Sequence, residues 1–174
     1  MGELELRPVQ EDDLVALERL INDPVSAAPY NWWGWRKPGL MAKRWEETGL
    51  LGDEQGVLLA VTQQELVGFV SWHRVATGPT SHCWEIGVNL QPDSRGRGHG
   101  TEAQRLLVRY LFANTQVNRI EAGTELTNVA EQRSLEKAGF TREGVLRGYG
   151  FRDGRWRDCV LYSILRAEVD LDSR

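Results

Sequence analysis

The chain has 174 residues and a formal charge of −4, with 41% apolar and 26% charged residues, which suits one substantial core. That balance excludes a general nucleic-acid binder, whose footprint is a basic surface, and mildly favours cationic partners. No apolar run approaches the roughly 20 residues of a membrane span, and the acidic opening lacks a signal-peptide pattern. The expectation is therefore a cytoplasmic protein with no membrane or nucleic-acid partner, folded as a single domain over 1–174.

Alternation predicts a short strand over 3–6, ended by Arg7-Pro8. The acidic run Glu11-Asp12-Asp13 opens a helix with Leu14, Leu17, Leu20 and Ile21 on one face, and Asn22-Asp23-Pro24 stops it. A tryptophan-rich loop follows over 30–38, then a helix over 40–48 and a turn over 49–56. Strands over 57–61 and 66–73 form a hairpin around Gln63-Gln64, and the next strand covers 82–90. The main helix covers 99–113, with Ala103, Leu106, Leu107, Tyr110 and Leu111 as its buried stripe. A strand over 119–123, a helix over 129–138 and strands over 140–147 and 156–165 complete the chain, with 151–155 as the last hairpin turn. Trp72, Trp84 and Trp156 read as core or sheet-face residues. The fold class is α/β, a mixed sheet flanked by helices.

Between the strand over 82–90 and the main helix lies the loop Arg95-Gly96-Arg97-Gly98-His99-Gly100-Thr101. Alternate glycines let successive N–H groups converge, the helix adds its positive end, and Arg95 and Arg97 add charge, so the loop is suited to a pyrophosphate. A Walker loop requires a lysine that is absent, and a dinucleotide fingerprint requires a different glycine spacing. Cys83 and Cys159 belong to no C-x-x-C pair and read as two buried thiols. His73 and His82 do not amount to a metal site, so no metal is expected.

Arg-Gly-x-Gly-x-Gly between strand and helix resembles the acyl-CoA loop of the GNAT superfamily of N-acetyltransferases. Glu85-Ile86-Gly87-Val88, Asn128-Val129-Ala130, Leu135-Glu136-Lys137-Ala138-Gly139-Phe140 and Glu143-Gly144-Val145-Leu146-Arg147 extend the resemblance to its Rim-type branch, which includes ribosomal-protein alanine N-acetyltransferases. The resemblance implies a central mixed, mostly antiparallel twisted sheet, acetyl-CoA as co-substrate and an amine acceptor, either a protein N-terminal α-amine or a small amine. Dimers are common among similar proteins. A CoA-binding accessory module without transfer activity is the alternative.

The resemblance also implies that Val88, Asn89 and Leu90 pair with the CoA arm and that Asn128 hydrogen-bonds that arm or an active-site water, which makes it a catalytic candidate as well as joining it to Arg95, Gly96, Arg97, Gly98, His99, Gly100 and Thr101 as cofactor-binding residues. Asn128 is equally a helix N-cap, with Glu131 completing a capping box. An amine must lose a proton before attacking a thioester. Glu85, which shares a strand face with Gly87 and Asn89, is the candidate base, or else a structural ion-pair partner. Similar proteins frequently have serine where Glu131 stands, and Ser134 one turn on is the candidate acid beside Tyr149 and Tyr162. The tryptophan loop either clamps the acceptor or packs as a lid.

Overall fold

The structure, a computed structural model, describes residues 3–63 and 65–171; Gln64 of the expected hairpin turn and the ends of the expected domain lie outside them. Seven strands form one sheet in the order β1-β2-β3-β4-β5-β7-β6. They are β1 (Glu5–Pro8), β2 (Gln55–Val61), β3 (Leu66–Ala76), β4 (His82–Leu90), β5 (Arg119–Glu125), β6 (Thr141–Arg152) and β7 (Arg155–Leu165). All neighbours are antiparallel except β4 and β5, so the sheet is mixed and mostly antiparallel, as expected.

Helices α1 (Leu14–Asn22) and α3 (Leu40–Thr48) belong to one face, and α4 (His99–Asn114) and α5 (Val129–Ala138) to the other, while the short α2 (Pro24–Ala27) packs against α1. Leu17 and Met41 pack with Val57 and Leu59 on the first face. Leu107, Leu111, Phe112 and Leu135 pack with Val70, Ile120 and Tyr162 on the second.

Several boundaries move for local reasons. Glu11–Asp13 makes a single 3-10 turn before α1 begins. Arg7 grips Asp13 with two hydrogen bonds of 2.6 and 2.9 Å, and Pro8 continues β1 because an edge strand tolerates its missing donor. Asn22-Asp23-Pro24 stops α1 and also starts α2, since Asp23 accepts hydrogen bonds from the Val25 and Ser26 N–H groups with Pro24 in the first turn. On α4 the buried rows are 103/107/111 and 104/108/112, which leaves Leu106 half-buried and Tyr110 39% exposed. The last hairpin turn is only Asp153-Gly154, both at positive φ, so β6 and β7 are longer than alternation indicated. Trp72 and Trp84 enter the core, whereas Trp156 lies 67% exposed against Phe151.

β4 and β5 pair over three positions alone: Trp84 with Ile120, Glu85 with Glu121 and Ile86 with Ala122. Beyond Ile86 they diverge, while β4 stays paired with β3 as far as Leu90. Gly68 of β3 makes that last pairing close, because a Cβ there would stand 2.2 Å from the Asn89 carbonyl oxygen and 2.8 Å from the Leu90 Cα. Gly68→Ala should thus cost about 1–3 kcal/mol of unfolding free energy by denaturant titration. Gly144→Ala, where a Cβ meets nothing within 4 Å, should stay within about 0.5 kcal/mol of the parent.

Candidate functional site

Divergence leaves the outer edge of β4 without a strand neighbour from Gly87 onward. Val88 and Leu90 turn their backbone polar groups toward the gap, where the Val88 carbonyl accepts from Asn31 Nδ2 at 3.5 Å and the Leu90 carbonyl from Arg95 Nε at 3.1 Å. Two cavities open beside this edge, of about 420 and 290 Å³, and Asn31 and Val88 line both.

The larger cavity lies between the edge, the glycine loop and α5. Val88, Leu90, Arg95, Gly96, Gly98 and Gly100 line it on one side, and Thr101, Asn128, Glu131 and Ser134 on the other. Gly96 and Gly98 have φ of +72° and +86°, as the sequence requires of a loop that turns its N–H groups inward. Gly98 caps α4 with no side-chain hydrogen bond, and within the described residues the N–H groups of His99, Gly100 and Thr101 meet no acceptor. Such unsatisfied donors at a positive helix end form an anion site.

Several expected cofactor contacts are placed differently. Arg95 turns inward: besides Leu90 it donates to the Ala28 carbonyl at 2.7 Å and to the Ser26 carbonyl, and burial lowers its pKa. The guanidinium remains charged but is committed to fixing the chain that crosses the cleft. Arg97 and His99 do not line the cavity, and His99 Nδ1 is buried without a partner. Asn89 points to the opposite sheet face and lines the smaller cavity. It is 6% exposed, its Nδ2 donates to the Leu20 carbonyl, and its Oδ1 has no partner.

Asn128 is the N-cap of α5, accepting from Glu131 N–H at 3.3 Å and donating to Thr124 Oγ1 at 3.0 Å, and it also faces the larger cavity. The capping box is half made, because the Glu131 carboxylate turns to Gln104 instead. Thr101 and Ser134 share a hydrogen bond of 3.0 Å, Ser134 donates to Gln104 Oε1, and Gln104 Nε2 donates to Glu131. Ser134 stands beside Gly100 at the start of α4, with its proton directed to Gln104 in this arrangement. Tyr162 is fully buried against Glu136, and Tyr149 lines neither cavity. The sequence reading missed Gln104 as a site residue; a lone amide on the buried side of an amphipathic helix was its signal.

The smaller cavity has a floor of three strands. The register aligns Val57, Ser71 and Gly87 across β2, β3 and β4, and one step along it aligns Gln55, His73 and Glu85. Small side chains in the first row open the cavity, and Trp33 of the tryptophan loop, Met41 and Arg44 line it from above. Glu85 stands at the end of the second row where β4 and β5 part, with Oε2 3.6 Å from His73 Nε2 and Oε1 facing Gly123. Of its two expected readings the structure supplies the ion-pair partner, His73, which lines the cavity floor, whereas Glu85 itself stands just outside the lining. Cys83 and Cys159 are free, and burial pushes the Cys83 thiol up to about 11, far from the thiolate that an acyl-enzyme needs.

Burial raises the Glu131 carboxyl to about 7, against the opposing hydrogen bond from Gln104. A carboxyl whose folded pKa lies above its unfolded value destabilises the fold once ionised, so this effect appears as pH rises from about 4.5 through 7. Glu131→Gln retains the Gln104 donor contact and removes the charge. Relative to the parent, the variant should gain up to about 3 kcal/mol of stability between pH 5 and pH 8, read by denaturant titrations at both values.

Residues 3–141 match the acetyltransferase (GNAT) domain family. Over 111 residues the chain is 35% identical to the probable N-acetyltransferase YjcK of Bacillus subtilis, covering 64% of this chain and 61% of that protein. Over 102 residues it is 28% identical to the ribosomal protein uS5-alanine N-acetyltransferase of Escherichia coli, covering 59% and 52%. The matches thus span about half to three fifths of these relatives. Among solved structures, the spermidine N-acetyltransferase of Vibrio cholerae in complex with CoA and spermine superposes with a TM-score of 0.81 at 20% identity, over 95% of this chain and 96% of that one. RimJ of Mycobacterium smegmatis in complex with CoA-disulfide gives 0.79 at 24%, over 97% and 84%. These structures agree in fold but divide between Rim-type and spermidine-acetylating proteins, so the expected Rim-type branch widens to the superfamily. With the family spanning most of its length, the chain belongs to the acetyltransferase (GNAT) domain family.

Proposed function

We propose that this protein is an N-acetyltransferase that moves acetyl directly from acetyl-CoA to a small primary amine in a ternary complex. The observation that carries the reading is the pair of cavities meeting at Val88 and Asn31, one ending on an anion-binding loop and the other beside a carboxylate. The pyrophosphate belongs on the N–H groups of the loop and of the first turn of α4. The pantetheine arm belongs along the free edge at Val88 and Leu90, with Asn128 on its other side.

The Val88 N–H is then the donor that polarises the thioester carbonyl. Glu85, backed by His73, takes the proton as the amine attacks, directly or through water. The tetrahedral adduct collapses to the amide and the CoA thiolate, which takes up a proton. Glu131 is the cleft carboxyl that still holds one near neutral pH. A cavity of about 290 Å³, with room for roughly ten waters, supports a small acceptor over a peptide N-terminus.

CoA release from acetyl-CoA, measured with small primary amines and with Ala- and Ser-starting peptides, tests the reading. Turnover on small amines is expected; turnover on peptides alone would overturn the acceptor assignment, and silence with every acceptor would overturn transfer itself. Glu85→Gln should lower kcat by about 10²–10⁴-fold with acetyl-CoA affinity unchanged. Gly98→Val places a β-branched residue at φ +86° and should abolish CoA binding by calorimetry; retained affinity would refute the loop assignment.

A further inference from the structure

The acceptor cavity carries a charge that the function so far leaves unused. Arg36 and Arg44 both line it, His73 stands on its floor, and no carboxylate is among its lining residues. Arg74, on the same sheet, is engaged by Glu54 at 2.8 Å, but among the described residues the guanidinium of neither Arg36 nor Arg44 has an ion-pair or hydrogen-bond partner; Asn22 and Thr48 reach only their backbones. Two guanidiniums without carboxylate partners on the wall of a half-open cavity repel an ammonium group and offer forked donors to an oxyanion. Across the sheet from Arg44 the Asn89 Oδ1, buried and without a partner, is an acceptor for N–H, and Glu85 lies on the same face of β4 at the rim.

The two ends are set apart by the sheet. Arg44 rises from α3, whose Met41 and Trp45 pack with Val57 of β2, whereas Asn89 belongs to β4, two strands away. Two strand spacings amount to roughly 10 Å. Resting on the acetyltransferase reading above, we propose that the acceptor is a small amine carrying a carboxylate or phosphate several bonds from its amino group. The anion lies on Arg44, with Arg36 adding positive charge to the same cavity, and the amine lies on Asn89 Oδ1 and the Glu85 rim. Polyamines and aminoglycosides, which are cationic throughout, are rejected by the same pair of arginines.

Matched acceptors of one chain length test this: aminohexanoate, aminohexyl phosphate, hexylamine and diaminohexane, each assayed for CoA release and, separately, for binding to the CoA complex by calorimetry. The anionic amines should exceed hexylamine in kcat/KM by about tenfold to a hundredfold, and diaminohexane should fall below it. The better of the two anionic compounds identifies the oxyanion. Arg44→Gln and Arg36→Gln should raise KM for the anionic amines by a larger factor than for hexylamine, narrowing or abolishing the preference for the anionic compounds. A diamine preference, or arginine variants that leave the order intact, would overturn the proposal while leaving transfer standing. Binding in the expected order without CoA release would retain the proposal and refute the transfer reading, and absence of binding by all four compounds would overturn the proposal.

Discussion

The parting of β4 from β5 after three paired positions is the constraint on which the rest of the molecule depends. An unpaired strand edge inside a sheet is normally a defect, because its N–H and C=O groups lose partners they would otherwise keep. Here it is stabilised from both sides: β3 holds β4 in register to Leu90, with Gly68 permitting close approach, while β7 holds β5 as far as Glu125. The gap is thus a rigid opening rather than a frayed end, and both cavities are consequences of it.

A strap crosses that opening, and two guanidiniums, half-buried Arg95 and buried Arg152, hold it. Arg95 from the glycine loop reaches the carbonyls of Ser26 and Ala28, and Arg152 from β6 reaches the carbonyl of Pro29 while paired with buried Glu125 at 2.6 Å. Tyr30 adds a hydrogen bond to the Thr127 carbonyl, and Asn31 reaches Val88. Carbonyl groups on an irregular segment would be costly to bury unmatched, and arginine satisfies several at once while retaining its charge. The strap therefore separates the larger cavity from the smaller and ties the two halves of the sheet together beyond the point where the strands separate.

Charge at the smaller cavity runs opposite to charge over the whole chain. The net value of −4 favours cationic partners at long range, yet the cavity holds two free arginines and a histidine with no lining acid. Net charge governs diffusional approach, whereas specificity is set by groups within a few ångströms of the ligand, where screening by water is weak. Composition could not have distinguished the two, since Arg36 and Arg44 sit in a loop and a helix with no shared motif.

Much of the fold was legible in the chain itself. Period-two and helical patterning located the strands and helices, because burial on one face imposes that spacing wherever a residue contacts the core. The glycine loop was legible because positive φ is available at low cost to glycine alone, and Asn128 because an N-cap must accept an N–H. The pairings across space were not. That Arg95 serves carbonyls of the strap, that Asn89 faces the acceptor side, that Glu131 turns from its cap to Gln104, and that Trp156 stays exposed all depend on where distant segments meet. The sequence by itself determined the local elements and the family's loop, which follow from short-range sterics and patterning. Tertiary structure alone decided which polar groups face the gap between β4 and β5, because that gap arises from how strands far apart in the chain pair and then part.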